Sequence, residues 1–457
     1  MGASGEGGDA ADEVCSGATA QKGGDMASDL AEAIAAMPLS DTHEHLHAER
    51  QYVGEGPDVL QAIFDHYLIA DLVVAGASAE AVARLVDADD PDIRARFAGV
   101  RDAWEACQHT GYGEAVRLIA RLVYGLEEIT PDGLEGATAR HAALRRPGER
   151  LRLLREVARL DHVQIDDPEW ACQPDPAGPD FFLYDLSWAN FCDGRLELQR
   201  LHDETGIAVA TLADLRAAFA ALFARHGPLA VAVKSQHAYR RTLHWRERTD
   251  AEVAPVLAMV LAGRELPGDE RLCLGDWCWA RGVELAVEHN LPFKLHTGYY
   301  AGYGRMPIDR IRAGHLCGLL ARYPRARFVL LHIAYPYSDE LVALAKHYPN
   351  VYVDLCWAWS IDPWTTRDFV RRMIHAVPIN KLFAFGGDTF WPAASVAYAA
   401  QARAWLTRAL QAEVDDRLLT ERQAIAVAAR LMQTNQRECF DLDGARAAIR
   451  RELAGRA

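Results

Sequence analysis

Four histidines and an aspartate close short apolar runs in this chain: Pro38-Leu-Ser-Asp-Thr-His43-Glu-His45, Phe293-Lys-Leu-His296, Phe328-Val-Leu-Leu-His332 and Leu382-Phe-Ala-Phe-Gly-Gly-Asp388. Imidazole is the commonest protein ligand for zinc and similar borderline ions, and a single carboxylate completes the charge and can take a proton from water. His43 and His45 stand two apart, so an extended backbone points both to one face, where they can hold one ion together. His43, His45, His296 and Asp388 supply a ligand set of this kind. One histidine after an apolar run reads most simply as a satisfied core or cap residue. Three independent runs that end this way point to a metal.

The elements that must gather these residues follow from periodicity. A short helix over 27–37 leads into the first strand. From about 57 to 160 the pattern is almost wholly helical, with Val59, Leu60, Ile63, Phe64, Tyr67 and Leu68 on one stripe, and reads as a helical insertion over the mouth of a barrel. Strand-like runs follow at His162–Ile165, Phe181–Leu186 and Leu229–Lys234, the last two separated by a helix from Leu212 to Arg225. Helices over Pro255–Ala262 and Trp277–His289 precede the strand that ends at His296. Further helices at Ile308–Tyr323, Asp339–Tyr348 and Thr365–Ala376 alternate with strands ending at His332, Asp354 and Asp388. Strands alternating with helices of this length demand a mostly parallel sheet. Seven or eight units predict an α/β fold, a distorted (β/α)8 TIM barrel, whose strand C-termini share one pocket. A doubly wound open sheet is the alternative, but no glycine-rich phosphate loop follows the first strand. Residues from about 396 to 457 read as packing helices outside the barrel.

Composition excludes several function classes. The 457 residues are 50% hydrophobic and 25% charged, with a formal net charge of −15 and a pI near 5.6. Nucleic acid or an anionic membrane would require a dense basic surface, so a small-molecule substrate is the expected partner, with a homo-oligomer left open. Nine cysteines without a CxxC pair do not form a disulfide scaffold, which fits a cytoplasmic protein with reduced thiols. The N-terminal stretch has no apolar segment, Glu6 stands where a myristoylation signal needs Ser or Thr, and residues 1–26 read as a disordered tail.

The order His43-Glu-His45, Lys-Leu-His296-Thr-Gly, Leu-Leu-His332-Ile-Ala-Tyr-Pro, Val-Tyr-Val-Asp354 and Phe-Gly-Gly-Asp388 resembles the amidohydrolase superfamily, and within it the amidohydrolase-2 group. With Val233-Lys234-Ser-Gln-His-Ala-Tyr239-Arg240, it is most similar to the amidohydrolase domain that precedes glutamine synthetase in nodulin- and FluG-like proteins. That likeness covers roughly residues 38–440. It implies a distorted barrel that holds a divalent metal, with His43 and His45 as first-strand ligands, His296 the fifth-strand ligand, His332 the sixth-strand histidine and Asp388 the eighth-strand aspartate. It also implies that Lys234 bridges two ions if carboxylated. Otherwise Lys234 stays a cation for a substrate carboxylate, with Arg240 and Arg241 as helpers. One ion is expected rather than two, zinc before manganese.

In such a site the ion polarises a carbonyl and makes hydroxide available near neutral pH, and Asp388 takes the proton and passes it to the leaving group. His332 is read as a second-metal ligand or, preferably, a neutral imidazole that stabilises an oxyanion or protonates carbon. Tyr239, Tyr335, Trp357 and Trp391 are the expected substrate-binding aromatics beside Arg240, with Tyr299, Tyr300, Tyr337 and Trp359 further candidates for the wall. Glu44 either supports the metal ligands or points away, Asp354 orients a histidine or caps a helix, and Asp185 and His237 rank below them. The leading function is a metal-dependent hydrolase of a C–N, amide-type bond in a small carboxylate-bearing substrate. The alternatives are a nonhydrolytic decarboxylase or uronate-isomerase-like enzyme, and a catalytically silent ligand-binding barrel.

Overall fold

The computed structural model describes residues 29–167, 172–300, 302 and 306–456. The strands β1 (Leu39–Glu44), β2 (Leu160–Ile165), β3 (Phe182–Ser187), β4 (Ala230–Ser235), β5 (Phe293–His296), β6 (Phe328–Leu331), β7 (Val351–Asp354) and β8 (Leu382–Phe383) pair in chain order, each parallel to the next. Most of their residues are buried on both faces, the condition for an all-parallel sheet wrapped in helices. β8 is only two residues long, yet the extended chain after it runs beside β1. There Thr42 N donates to Phe385 O at 3.1 Å, and Asp388 N to His43 O and His45 N to Thr389 O at 2.9 Å each, which nearly closes the cylinder. The expected (β/α)8 barrel is therefore the observed one.

Local chemistry sets the helical layer. Thr211 and Asp214 form a reciprocal cap at the start of Leu212–His226, which buries Leu215, Phe219, Leu222 and Phe223 on one face. The helix Gly268–Glu288 lies so close to Trp188 that a Cβ on Gly282 would stand 2.2 Å from the indole Nε1, which itself donates to Cys278 O at 2.9 Å. Gly282→Ala is expected to destabilise the protein by about 1–3 kcal/mol through overpacking, read by chemical denaturation. An unchanged denaturation midpoint would show that this contact yields freely.

Helices also fill the stretch from Glu49 to Val157, between β1 and β2. Its helix Gly111–Ile119 packs on the C-terminal helix Pro392–Asp415. Gln401 Nε2 donates to Gly111 O at 2.9 Å, and both Gln401 Nε2 and Trp405 Nε1 donate to Glu114 Oε2, at 2.7 and 2.9 Å. These bonds fix the insertion against the barrel, where it supplies one wall of the central cavity.

The structure corrects two boundaries. Residues 308–323 form 3-10 turns at Ile308–Ile311 and Ala313–Leu316 and a helix at Cys317–Arg322, because Arg312 between them is extended (φ −55°, ψ 118°). The sixth strand stops at Leu331, and His332, Ile333 and Ala334 turn left-handed (φ 65°, 48° and 50°). Asp388 (φ 57°) and Trp357 (φ 59°) share that conformation, which costs non-glycine residues energy and clusters where side chains are re-aimed for function. The tail expected over 1–26 lies outside the described residues. Among those described, no helix is long and apolar enough to cross a membrane.

Candidate metal centre

β1 ends at Glu44, and its alternation sends His43, with His45 just beyond it, toward the barrel mouth. Asp388, turned by its left-handed backbone, meets them: Oδ1 lies 3.2 Å from Nε2 of both His43 and His45. Its other oxygen, Oδ2, is 3.9 Å from His332 Nε2. His45 Nδ1–H donates to Asp166 O at 2.8 Å and His332 Nδ1–H to Cys356 O at 2.9 Å. Those carbonyls assign the ring protons to Nδ1 and leave each Nε2 lone pair facing Asp388.

His332 Nε2 and Asp388 Oδ2 are buried without a hydrogen-bond partner, an arrangement that is costly unless something else satisfies them. The ligand atoms of His43, His45 and Asp388 lie within 4.8 Å of one another, as do those of His332, Cys356 and Asp388. Two imidazole nitrogens and a carboxylate with open positions beside them suit a divalent ion.

His296, expected as a ligand, packs on His332 with ring centroids 4.3 Å apart, but both its ring nitrogens are engaged elsewhere. Its Nε2–H donates to Gly298 O at 2.6 Å and its Nδ1 accepts from the Tyr239 hydroxyl at 3.1 Å, so neither ring nitrogen has a lone pair to offer. Lys234 is buried beneath the cluster, its Nζ 3.1 Å from His43 Nε2 and 3.7 Å from Asp166 Oδ2. The two arginines are corrections. Arg240 is half exposed and faces Asn190 and Asp193 on the outside, and Arg241 is buried in an ion pair with Asp276 at 2.6 Å.

The centre opens on a cavity of about 500 Å³ whose lining includes His45 and Asp388, the rings of Tyr67, Tyr239, Tyr300, Phe390 and Trp391, and Asp65. Trp357 and Tyr335 stand behind that wall: Trp357 stacks on Tyr299 (centroids 5.7 Å) and packs at a tilt on Tyr67 (4.2 Å), and Tyr335 packs at a tilt on Tyr299 (5.7 Å). Trp359 is core, donating to Ala384 O, Tyr337 lies under Arg312, and His237 is tied to Ser235. Glu44 turns to Thr389, whose hydroxyl donates to its Oε2 at 2.9 Å.

Burial opposes ionisation of Asp388, but the imidazoles of His43, His45 and His332 around it outweigh that and hold its carboxyl well below the usual range. Burial lowers His332 to about 4 against the pull of Asp388, so this imidazole is neutral at pH 7. Burial likewise pushes the Tyr67 hydroxyl well up, with the nearby Asp388 charge adding to it. Deeper in the barrel, Lys294 Nζ bridges both oxygens of Asp185 at 2.8 Å and donates to Thr42 O at 2.6 Å.

Asp354 accepts from Cys356 N at 2.8 Å, and burial pushes it up to about 7. A carboxyl raised from 3.8 to about 7 contributes stability that is complete below pH 4 and lost as pH rises through 7. Asp354→Asn is therefore expected to gain stability relative to the native chain as pH rises from 4 to 7 and to hold that gain above it. Parallel denaturation curves across this range would remove Asp354 from the titrating groups.

Three contributors escaped the sequence reading. Tyr67 lies on a helical stripe that looks like core. Asp166 directly follows β2, and Lys294 precedes His296 by two, so strand alternation carried a signal for both.

A parallel eight-stranded barrel with two first-strand histidines and an eighth-strand aspartate at its mouth defines the class of amidohydrolase-type barrels. A family model described as Amidohydrolase matches residues 160–425, more than half of the chain, and the chain belongs to that superfamily, within its amidohydrolase-2 group. Protein fluG of Emericella nidulans is 29% identical over 235 residues, taking in 47% of this chain but only 26% of that protein. Among solved structures, a uronate isomerase of Thermotoga maritima superposes with a TM-score of 0.75 at 14% identity, covering 90% of this chain and 96% of that one. A glucuronate isomerase of Caulobacter crescentus does so with a TM-score of 0.75 at 16% identity, covering 91% and 93%. At such identities the likeness is one of fold.

Proposed function

We propose that this protein is a metal-dependent hydrolase that cleaves a C–N, amide-type bond of a small molecule, with one divalent ion held by His43, His45 and Asp388. The observation that carries this reading is the Asp388 carboxylate itself. One oxygen sits between two imidazoles at 3.2 Å, and the other is unpartnered opposite His332 Nε2 at 3.9 Å, beside the cavity. A bound ion of this kind brings the pKa of water to about 7 and polarises the scissile carbonyl.

Asp388 Oδ2 takes the proton of the attacking water and delivers it to the leaving nitrogen as the C–N bond breaks and the C–O bond forms. His332, neutral and with Nδ1–H pinned to Cys356 O, offers only a lone pair at Nε2, so it orients that water as an acceptor. An oxyanion-donor role does not suit this tautomer. The Tyr67 hydroxyl beside Asp388 is the donor placed for the developing oxyanion.

A nonhydrolytic reading draws on one observation: two proteins named as sugar-acid isomerases cover nine-tenths of this fold. Asp388 would then move a proton on carbon. Against it, no lysine or arginine among the described residues lines the central cavity to hold a substrate carboxylate. Metal analysis and a substrate panel decide between them. One equivalent of metal with release of ammonia or amine is expected; two equivalents overturn the ion count, and turnover of uronates or release of CO₂ without any amine overturns hydrolysis.

A further inference from the structure

The walls of the central cavity have a charge character that says what it recognises. Among the described residues its lining holds two carboxylates, Asp65 and Asp388, five aromatic rings and no lysine or arginine. Asp388 is committed to the histidines, whereas the Asp65 carboxylate, just past the end of the helix Val59–Phe64, has no ion pair or hydrogen bond among the described residues. Burial and the charge of Asp58 raise its carboxyl, the condition of an acid short of a counter-charge.

A second cavity of about 470 Å³ lies on the other side of His45, sharing His45, His47 and Phe390 with the first. It is lined by Asp166, Asp167, Asp175 and Asp185, and its one arginine, Arg150, is already paired with Asp175 at 2.5 Å. Both Asp166 oxygens are buried there without a hydrogen-bond partner, with the Lys234 ammonium 3.7 Å from Oδ2 as the nearest cation. Both spaces beside the metal centre therefore disfavour an anion. Aromatic walls with an unpaired carboxylate attract an organic cation, since ring faces carry negative quadrupole density and the carboxylate carries full charge. The net charge of −15 draws cations toward the molecule from a distance.

We propose that the substrate is an amide whose non-reacting end carries an alkylammonium group, seated at Asp65 among the rings of Tyr67, Tyr300 and Trp391 while the amide lies at Asp388. This rests on the hydrolase reading for the reacting end only. It reverses the carboxylate-bearing substrate expected from Arg240, which faces outward.

The test compares N-acetyl-1,4-diaminobutane with N-pentylacetamide, which puts a methyl group where the first has an ammonium, on the metal-loaded protein. Binding is measured by calorimetry and turnover by release of acetate. The cationic amide is expected to bind at least about tenfold tighter, the joint worth of the Asp65 charge and the aromatic faces around it. Asp65→Asn is expected to bring the ratio toward one, while Asp65→Glu keeps most of it. Equal binding of the two amides by the native protein overturns the proposal, as does a ratio that Asp65→Asn leaves intact. Tighter binding of the cationic amide with no acetate released supports the cation site and counts against the hydrolase reading, so the two failures are told apart.

Discussion

Asp388→Asn is expected to lower kcat by about 10³-fold, within the range of roughly 10² to 10⁴ that a positioned acid–base group contributes. Metal content should fall with it. The same carboxylate supplies one oxygen to the cluster with His43 and His45 and presents the other, unpartnered, toward His332. An amide keeps the shape but removes the charge that balances a cation and the basicity that accepts a proton. The measurement is kcat on a confirmed substrate together with metal per chain by mass spectrometry; turnover within tenfold of native at full metal content would strip Asp388 of both roles. His296→Gln is the informative companion. With both His296 ring nitrogens bonded to Gly298 and Tyr239, it should keep its metal, and loss of the ion would restore His296 as a ligand.

Lys294→Met carries the largest expected effect on stability, about 3–5 kcal/mol, the usual cost of breaking a buried ion pair from one side. Lys294 and Asp185 are both fully buried, joined by two contacts of 2.8 Å, and Asp354 and Asp41 lie among the same strand ends. Without the ammonium, Asp185 loses the cation bonded to it, and burial already pushes its carboxyl up to about 6. The deficit, read by chemical denaturation, should narrow as pH falls, because a protonated Asp185 needs no counter-charge. Lys294→Met with Asp185→Leu should recover part of the loss, since removing both partners costs less than orphaning one. A single variant as stable as the native chain at pH 7 would show that the pair does not hold the barrel interior.

Much of this was legible along the chain. The apolar runs ending in His43, His296 and His332 marked β1, β5 and β6 closely, because a buried parallel strand must be apolar along its length and its polar end residue must face something, whereas β8 stops at Phe383, five residues before Asp388. The i, i+2 spacing of His43 and His45 correctly placed both rings beside one carboxylate. His296 shows where such reasoning stops: its strand ends as expected, but the direction of its ring nitrogens depends on Gly298 O and the Tyr239 hydroxyl. Arg240 shows the same for charge, since three residues of 3-10 turn at His237–Tyr239 leave its guanidinium outside.

The sequence by itself determined the parallel barrel and most of the residues at its strand ends, because periodicity and burial act through neighbours a few positions apart. Only the tertiary structure decided which of those residues meet, that Tyr67 and Asp65 of the insertion line the cavity, and that Asp166 and Lys294 complete the charge balance beneath it. Contacts between residues hundreds of positions apart depend on backbone turns such as the left-handed ones at His332 and Asp388, which local propensity disfavours and only the closed barrel imposes.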